Sequence, residues 1–353
     1  MKNGENKKKF NILNLLALCV LVVVFMTVPT FVFREYNGQA EIENNFFGEE
    51  SELKGVLIVW NIDTFEGGNI SKSDYLEEVG RLFENNHKGL YVAVKNMTVE
   101  EAKLKIEAGE LPDAVSFGMG LGNMFKPYLS ELNFATNVRQ SVLNSGMADG
   151  KQLAIGYIMG CYALFSTNEK LINAGKESST VLLNSYLACG YTKQLKNKTR
   201  TIYSLNYGAS NYLNTKRVLN IDVNDMVLIS ESQYDAYVDF INYNKSTILL
   251  GTQRDFIKLK NKENLGKISG LIVEPLCGYN DLVQYIGVIN SGNELRMKYS
   301  RYFAQFLVND GTQQEIEGSG MFSTVLDGLY TEDGLKALEE AVVGSDDIPN
   351  VID

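Results

Sequence analysis

The chain has 353 residues, 45% of them hydrophobic and 22% charged, with 33 basic against 43 acidic side chains and a net charge of −10. Such a length and apolar content fit a globular protein of two lobes or domains and exclude a disordered one. The acidic balance, with no basic patch interleaved with aromatics, excludes nucleic acid as a partner, because phosphate backbones would be repelled.

The chain opens on a basic tip, Lys7 to Lys9, followed by an apolar run from Phe10 to Phe33. Twenty-four such residues are enough to span a bilayer as a helix. Lysines on the near side keep that end cytoplasmic and place everything after Arg34 outside. A cleaved signal has a shorter apolar core, about 7–15 residues, so a retained anchor is the expectation. Cleavage after Gly38-Gln39-Ala40 and release is the alternative. Cys19 is no lipid-attachment site, since Leu18 stands where a small residue is needed and the cysteine lies inside the apolar run. Residues 1–40 are thus read as basic tip plus anchor or signal, and 41–54 as a polar spacer. Beyond residue 40 the chain holds 28 basic and 41 acidic residues, a net charge of −13.

The first strand is predicted at Val56–Trp60, in "VLIVWNIDTFEGG". A helix follows over Lys72–Asn85, with Ser71 and Ser73 as caps and Tyr75, Val79, Leu82 and Phe83 as its apolar face. "GLYVAVKNM" is the second strand. "TVEEAKLKIEAGE" is a helix with a capping box from Thr98 to Glu101 and Gly109 as its stop. "LPDAVSF" is the third strand. That alternation predicts a parallel, wound α/β sheet, whose loops 61–68 and 118–123 reach one rim. Further along, "KQLAIGYIMGCYALFSTNEKLINAG" reads as two strands running into a helix near Glu169. "SQYDAYVDFINYN" is a helix, "STILLG" a strand and "TQRDFIKLKN" a helix. "SGLIVEPLCGYNDLVQYIGVIN" supplies two strands around a turn. "NELRMKYSRYFAQFLVND" is a helix with Leu295, Tyr299, Tyr302, Phe303 and Phe306 inward, and two helical stretches close the chain.

Catalytic vocabulary is thin. The only histidine, His87, is expected to be solvated at a helix end, and no Ser-His-Asp, Cys-His or zinc arrangement can be built on it. "GMGLGN" lacks the dinucleotide spacing, so no cofactor or metal is expected. Cys161, Cys189 and Cys277 are too widely spaced for a disulfide framework and read as free, buried thiols. Asp63, Glu66 and Asp281 are raw material for glycoside hydrolysis, as in any acidic protein.

"VLIVWNIDTFEGG", "GELPDAVSFG", "GYIMGCYALF", "GTQRDFIKL" and "EPLCGYNDLVQYIGVIN" come in an order that resembles the carbohydrate-type extracellular solute-binding proteins of ABC importers. The likeness runs from about Gly55 to Thr324. It implies a two-lobed, hinge-connected periplasmic-binding-protein-like fold of type II over residues 55–353, its first lobe beginning with residues 55–125. It also implies capture of a sugar or oligosaccharide between the lobes, delivery to permease subunits, and action as a monomer held at the membrane's outer face. Carried onto this chain, Trp60, Asp63, Phe65, Glu66, Phe117 and Met119 would line one wall. Tyr157 and Met159 would sit by the crossing strand, Thr252 and Arg254 on the opposite wall, and Tyr279 and Asp281 on the return. The chemistry fits, since aromatic rings stack on a sugar's C–H face while carboxylates and Arg forks take its hydroxyls. Each residue also has a packing alternative. The usual lipobox is missing, and Gly156 stands where a proline is common. A degenerate binding protein acting as a sensor and a glycan-acting enzyme are the competing readings.

Overall fold

The computed structural model describes residues 49–173, 183, 202–208, 215–219 and 227–352. The apolar run Phe10–Phe33, the cleavage motif and Cys189 lie outside the described residues. Among those described, no helix is long and apolar enough to cross a membrane.

In chain order the described strands are β1 Glu49–Asn61, β2 His87–Asn96, β3 Ala114–Gly118, β4 Leu129–Ser130, β5 Met147–Ala148, β6 Lys151–Gln152, β7 Ala154–Met159, β8 Tyr162–Thr167, β9 Tyr203–Gly208, β10 Val227–Ser230, β11 Ser246–Thr252, β12 Leu271–Pro275 and β13 Val283–Ile289. The longer helices are α1 Lys72–Asn86, α2 Val99–Glu107, α3 Gln233–Ile241, α4 Gln253–Asn264, α5 Glu294–Leu307 and α6 Asp333–Val343.

The first sheet runs β2-β1-β3-β13-β4, with β7 also on β13. β1 pairs in parallel with β2 and β3, as their helical crossovers require. β13 then enters antiparallel to β3 and β7. All residues of β3, β7 and β13 are buried, which explains their largely apolar character, with Ser116 and Gln284 as the polar exceptions. The second sheet runs β10-β9-β11-β8-β12. Here β9, β10 and β11 are parallel, and β8 is antiparallel to β11 and β12.

Two crossings run directly between strands of the two sheets, and a further passage leads from Phe322, paired with Met159, to α6, which packs on β12 and α4. The chain leaves the first sheet after Met159, passes Gly160 and Cys161, and enters the second as β8. It returns from β12 to β13 through residues 276–282. Gly160 is needed where the crossing is tightest: a Cβ there would lie 3.1 Å from Phe65, Gln253 and Leu282, groups from both lobes and the return segment.

Local signals explain several elements. α1 starts at a capping box between Ser71 and Asp74, and α2 at the one between Thr98 and Glu101. Five expectations change. Residues 49–54, read as spacer, belong to β1: Glu49 and Glu50 pair with His87 and Lys88 before a register break, and Glu52 N donates to Tyr299 Oη at 3.0 Å. Leu82 is exposed, since the buried stripe of α1 runs through Tyr75, Leu76, Val79 and Phe83. On α5 Tyr302 is likewise exposed while Tyr299 and Phe303 are buried. His87 is only partly exposed: its ring stacks on Phe83 at 4.0 Å and Nδ1 lies 2.9 Å from the Phe83 carbonyl. Three helical segments rather than two end the chain, at Asp310–Gln314, Ile316–Ser319 and α6.

Candidate functional site

β1 delivers its chemistry at its carboxyl end. Asn61 is the last paired residue, opposite Asn96 and Ser116. Its amide donates to Asn96 Oδ1 at 2.8 Å and Asp63 Oδ1 at 3.2 Å, and its oxygen accepts from Ser116 Oγ at 2.9 Å. Ser116 Oγ then lies 2.9 Å from both Tyr157 Oη and Gln284 Nε2. The hydroxyl thereby uses its one proton and both lone pairs. This buried network is the floor on which the loop 63–71 rests.

Lys72, the first residue of α1, holds that loop from beneath. It is buried, its ammonium donates to the Phe65 carbonyl, lies 3.5 Å from Asp63 and sits 3.7 Å above the Phe65 ring. Burial lowers its pKa to about 8, against the attraction of Asp63. A cation at a helix N-terminus is electrostatically disfavoured, so its partners have to come from the loop. Gly68 lets the loop press onto the 319–320 turn, where a Cβ would lie 2.3 Å from the Ser319 carbonyl.

The opposite wall is the start of α4. Arg254 Nη1 reaches across the lobes to 2.9 Å from Glu66 Oε2. That contact is an ion pair without hydrogen-bond alignment, since Glu66 Oε2 has no hydrogen-bond partner. A cleft of about 460 Å³ lies here, lined by residues 63–71 and Arg254. Next to it Gln253 Oε1 accepts from the Cys161 amide at 2.9 Å, tying α4 to the crossing. Asp255 Oδ2 accepts from Thr252 N at 3.1 Å and Gln233 Nε2 at 2.7 Å. Its burial pushes its pKa up to about 6, against those two hydrogen bonds. Thr252 Oγ1, Gln253 Nε2 and Asp255 Oδ1 are buried without hydrogen-bond partners. A cleft bordered by the Asp63 and Glu66 carboxylates and the Arg254 guanidinium is suited to gripping a polar, hydroxyl-rich molecule.

Of the residues singled out from sequence, Asp63, Phe65, Glu66 and Arg254 border the cleft. Thr252 is buried beside it. Trp60 is 4% exposed within the core, and Phe117 is packed between Phe125 and Tyr285. Tyr157 stacks on Tyr75 and bonds Ser116, so its ring and hydroxyl are both engaged. Met159 is buried, its backbone paired with Phe322, and Met119 packs against the core. Tyr279 and Asp281 bond each other at 2.9 Å, and Tyr162 Oη donates to Asp281 at 2.6 Å, so both serve the return crossing. Sequence reasoning missed Lys72, Asn61 and Gln253. Lys72 carried a signal: a lysine between Ser71 and Ser73, at a helix start that prefers acids. Of the two described cysteines, Cys161 is a free buried thiol and Cys277 is free but exposed. Among the described residues no group of His, Cys, Asp and Glu could hold a metal ion.

No protein-family model matches the sequence, and no curated protein matches it. Solved structures do. MalE, the sugar-binding protein of Xanthomonas citri, superposes with a TM-score of 0.61 at 14% identity, over 84% of this chain and 88% of that one. The GacH receptor of Streptomyces glaucescens, solved with acarbose and an acarbose homologue, gives 0.58 at 17% identity over 83% and 87%. The extracellular solute-binding protein of Staphylococcus aureus, in complex with maltose, gives 0.53 at 14% over 85% and 88%. What this chain shares with these proteins at such identities is the two-lobed fold of carbohydrate-type solute-binding proteins.

Proposed function

We propose that the chain is the extracytoplasmic substrate-binding component of an ABC importer, capturing a sugar or oligosaccharide between its lobes and passing it to membrane permease subunits. The observation that carries this reading is the cleft at the lobe seam, where Glu66 of one lobe faces Arg254 of the other. A saccharide's hydroxyls would exchange with that ion pair and with Asp63, while the crossings bend to admit and enclose it. The neighbours solved with acarbose and maltose support the ligand class. In this reading the protein is a monomeric binder without cofactor, and residues 1–40 hold it at the membrane.

A thermal-shift series with glucose, maltose and maltotriose tests the reading. A ligand bound only by the native state raises stability by RT ln(1 + [L]/Kd), about 2.7 kcal/mol at one hundred times Kd. A saturable rise that Glu66→Ala and Arg254→Ala diminish supports it. One observation favours the degenerate, sensor-like reading: the Trp60, Phe117 and Tyr157 rings are buried and the Phe65 ring is covered by Lys72. That reading predicts no shift with any saccharide.

A further inference from the structure

The two described cysteines sit on two different crossings. Cys161 ends the outgoing crossing, and Cys277 begins the return. β12 and β8 pair antiparallel up to Pro275 opposite Ala163, and Leu276 N then donates to the Tyr162 carbonyl at 2.9 Å. Continuing that register by one residue sets Cys277 opposite Cys161. With Leu276 N bonded to the Tyr162 carbonyl, the next position of a regular antiparallel ladder is a narrow pair, whose Cα atoms lie about 4.5 Å apart, and Cys277 is close enough to Cys161 to act on its thiol electrostatically. Such spacing lies inside the window of about 4.4–6.8 Å that a disulfide needs. Gly278, with φ of 103°, turns the chain away just beyond, while Asn280 Nδ2 keeps the return segment against the Gly160 carbonyl at 2.9 Å.

We propose that Cys161 and Cys277 form a reversible disulfide that links the two crossings. The oxidant is a low-molecular-weight disulfide such as glutathione disulfide. Cys277, being exposed, gives up its proton and its sulfur attacks one sulfur of that molecule; the S–S bond breaks and the departing thiolate takes up a proton. The Cys161 thiol then loses its proton and its sulfur attacks the Cys277 sulfur, releasing the second small thiol. Two protein thiols are oxidised by two electrons, and one small disulfide is reduced to two thiols. Cys161 is buried and its thiol is pushed well up by that burial, with Sγ turned to the Tyr162 carbonyl at 3.3 Å. The second step therefore waits on the crossings parting. Once formed, the bond closes residues 162–276 into a loop at the base of the second lobe and makes the crossings move together. Where this happens in the cell rests on the extracytoplasmic placement proposed above; the chemistry does not.

The test uses the full chain, incubated with glutathione disulfide, alkylated without reduction and mapped by mass spectrometry. The expected result is a peptide pair joined through Cys161 and Cys277, with no glutathione retained and with reversal by dithiothreitol. Cys161→Ser should instead keep glutathione on Cys277, and Cys277→Ser should leave Cys161 unmodified. Oxidised wild type should melt several degrees higher than reduced, and neither serine variant should show that shift. Glutathione persisting on Cys277 in the wild type, or a bond from Cys277 to Cys189, would overturn the proposal.

Discussion

Trp60→Ala separates the two roles that a lone tryptophan at a strand's end can play. The indole is 4% exposed, its strand lies between β2 and β3, and its register partners are Lys95 and Val115. A buried aromatic removes roughly 150–250 Å² from water, and at about 25 cal/mol per Å² this is an upper figure of about 4–6 kcal/mol. Measured removals of buried Trp, cavity included, cost about 3–5 kcal/mol. The urea midpoint should therefore fall by about 1–2 M. Saccharide affinity per folded molecule should change little, because the ring does not border the cleft. An unchanged midpoint with tenfold or greater loss of affinity would refute this reasoning and return Trp60 to the cleft wall.

Asp255, raised to about 6, binds a proton more tightly in the folded state than in the unfolded one. Its contribution is therefore favourable below about pH 4 and is lost as pH rises to about 6, by about 3 kcal/mol. Asp255→Asn should flatten that part of the stability profile, as read by urea titration at each pH. Lys72 has the opposite sign: with a folded pKa of about 8, the unfolded chain binds the proton more tightly, so stability grows from about pH 8 to 10.5. The stability difference between wild type and Lys72→Met should rise by about 3 kcal/mol across that window, and a flat difference would contradict a buried ammonium. If residues 10–33 are a retained anchor, the protein should stay with membranes through a high-salt wash, and a soluble form beginning at Glu41 would show cleavage instead.

Much of the fold is local and so was legible. Capping at Ser71 and at Thr98 with Glu101, the apolar runs of β1 to β3 and the short connections between them specify the parallel sheet within sixty residues. Residues 49–54 were not legible, because "EESELK" has no apolar run and becomes strand only by pairing with β2 and meeting Tyr299. Half of the cleft was legible too. Asp63, Phe65, Glu66 and Arg254 have the residue types a polar ligand needs, and the wound sheet sends loop 63–71 to its rim. Pairing of Glu66 with Arg254 was invisible, since it depends on how the two lobes approach each other across the crossings. Lys72 was missed because burial of an ammonium is decided by the loop folded over it, not by its helix. The aromatic residues went the other way: Trp60, Phe117 and Tyr157 look like sugar platforms in sequence, and the core uses them as filling.

The central claim, that a saccharide occupies the seam between the lobes, is tested most directly by hydrogen exchange with and without saturating maltotriose. The account predicts slower exchange of backbone amides in both residues 63–71 and residues 252–255, one segment from each wall, with the effect lost in Arg254→Ala. Protection of neither segment, or of one wall alone, would contradict it.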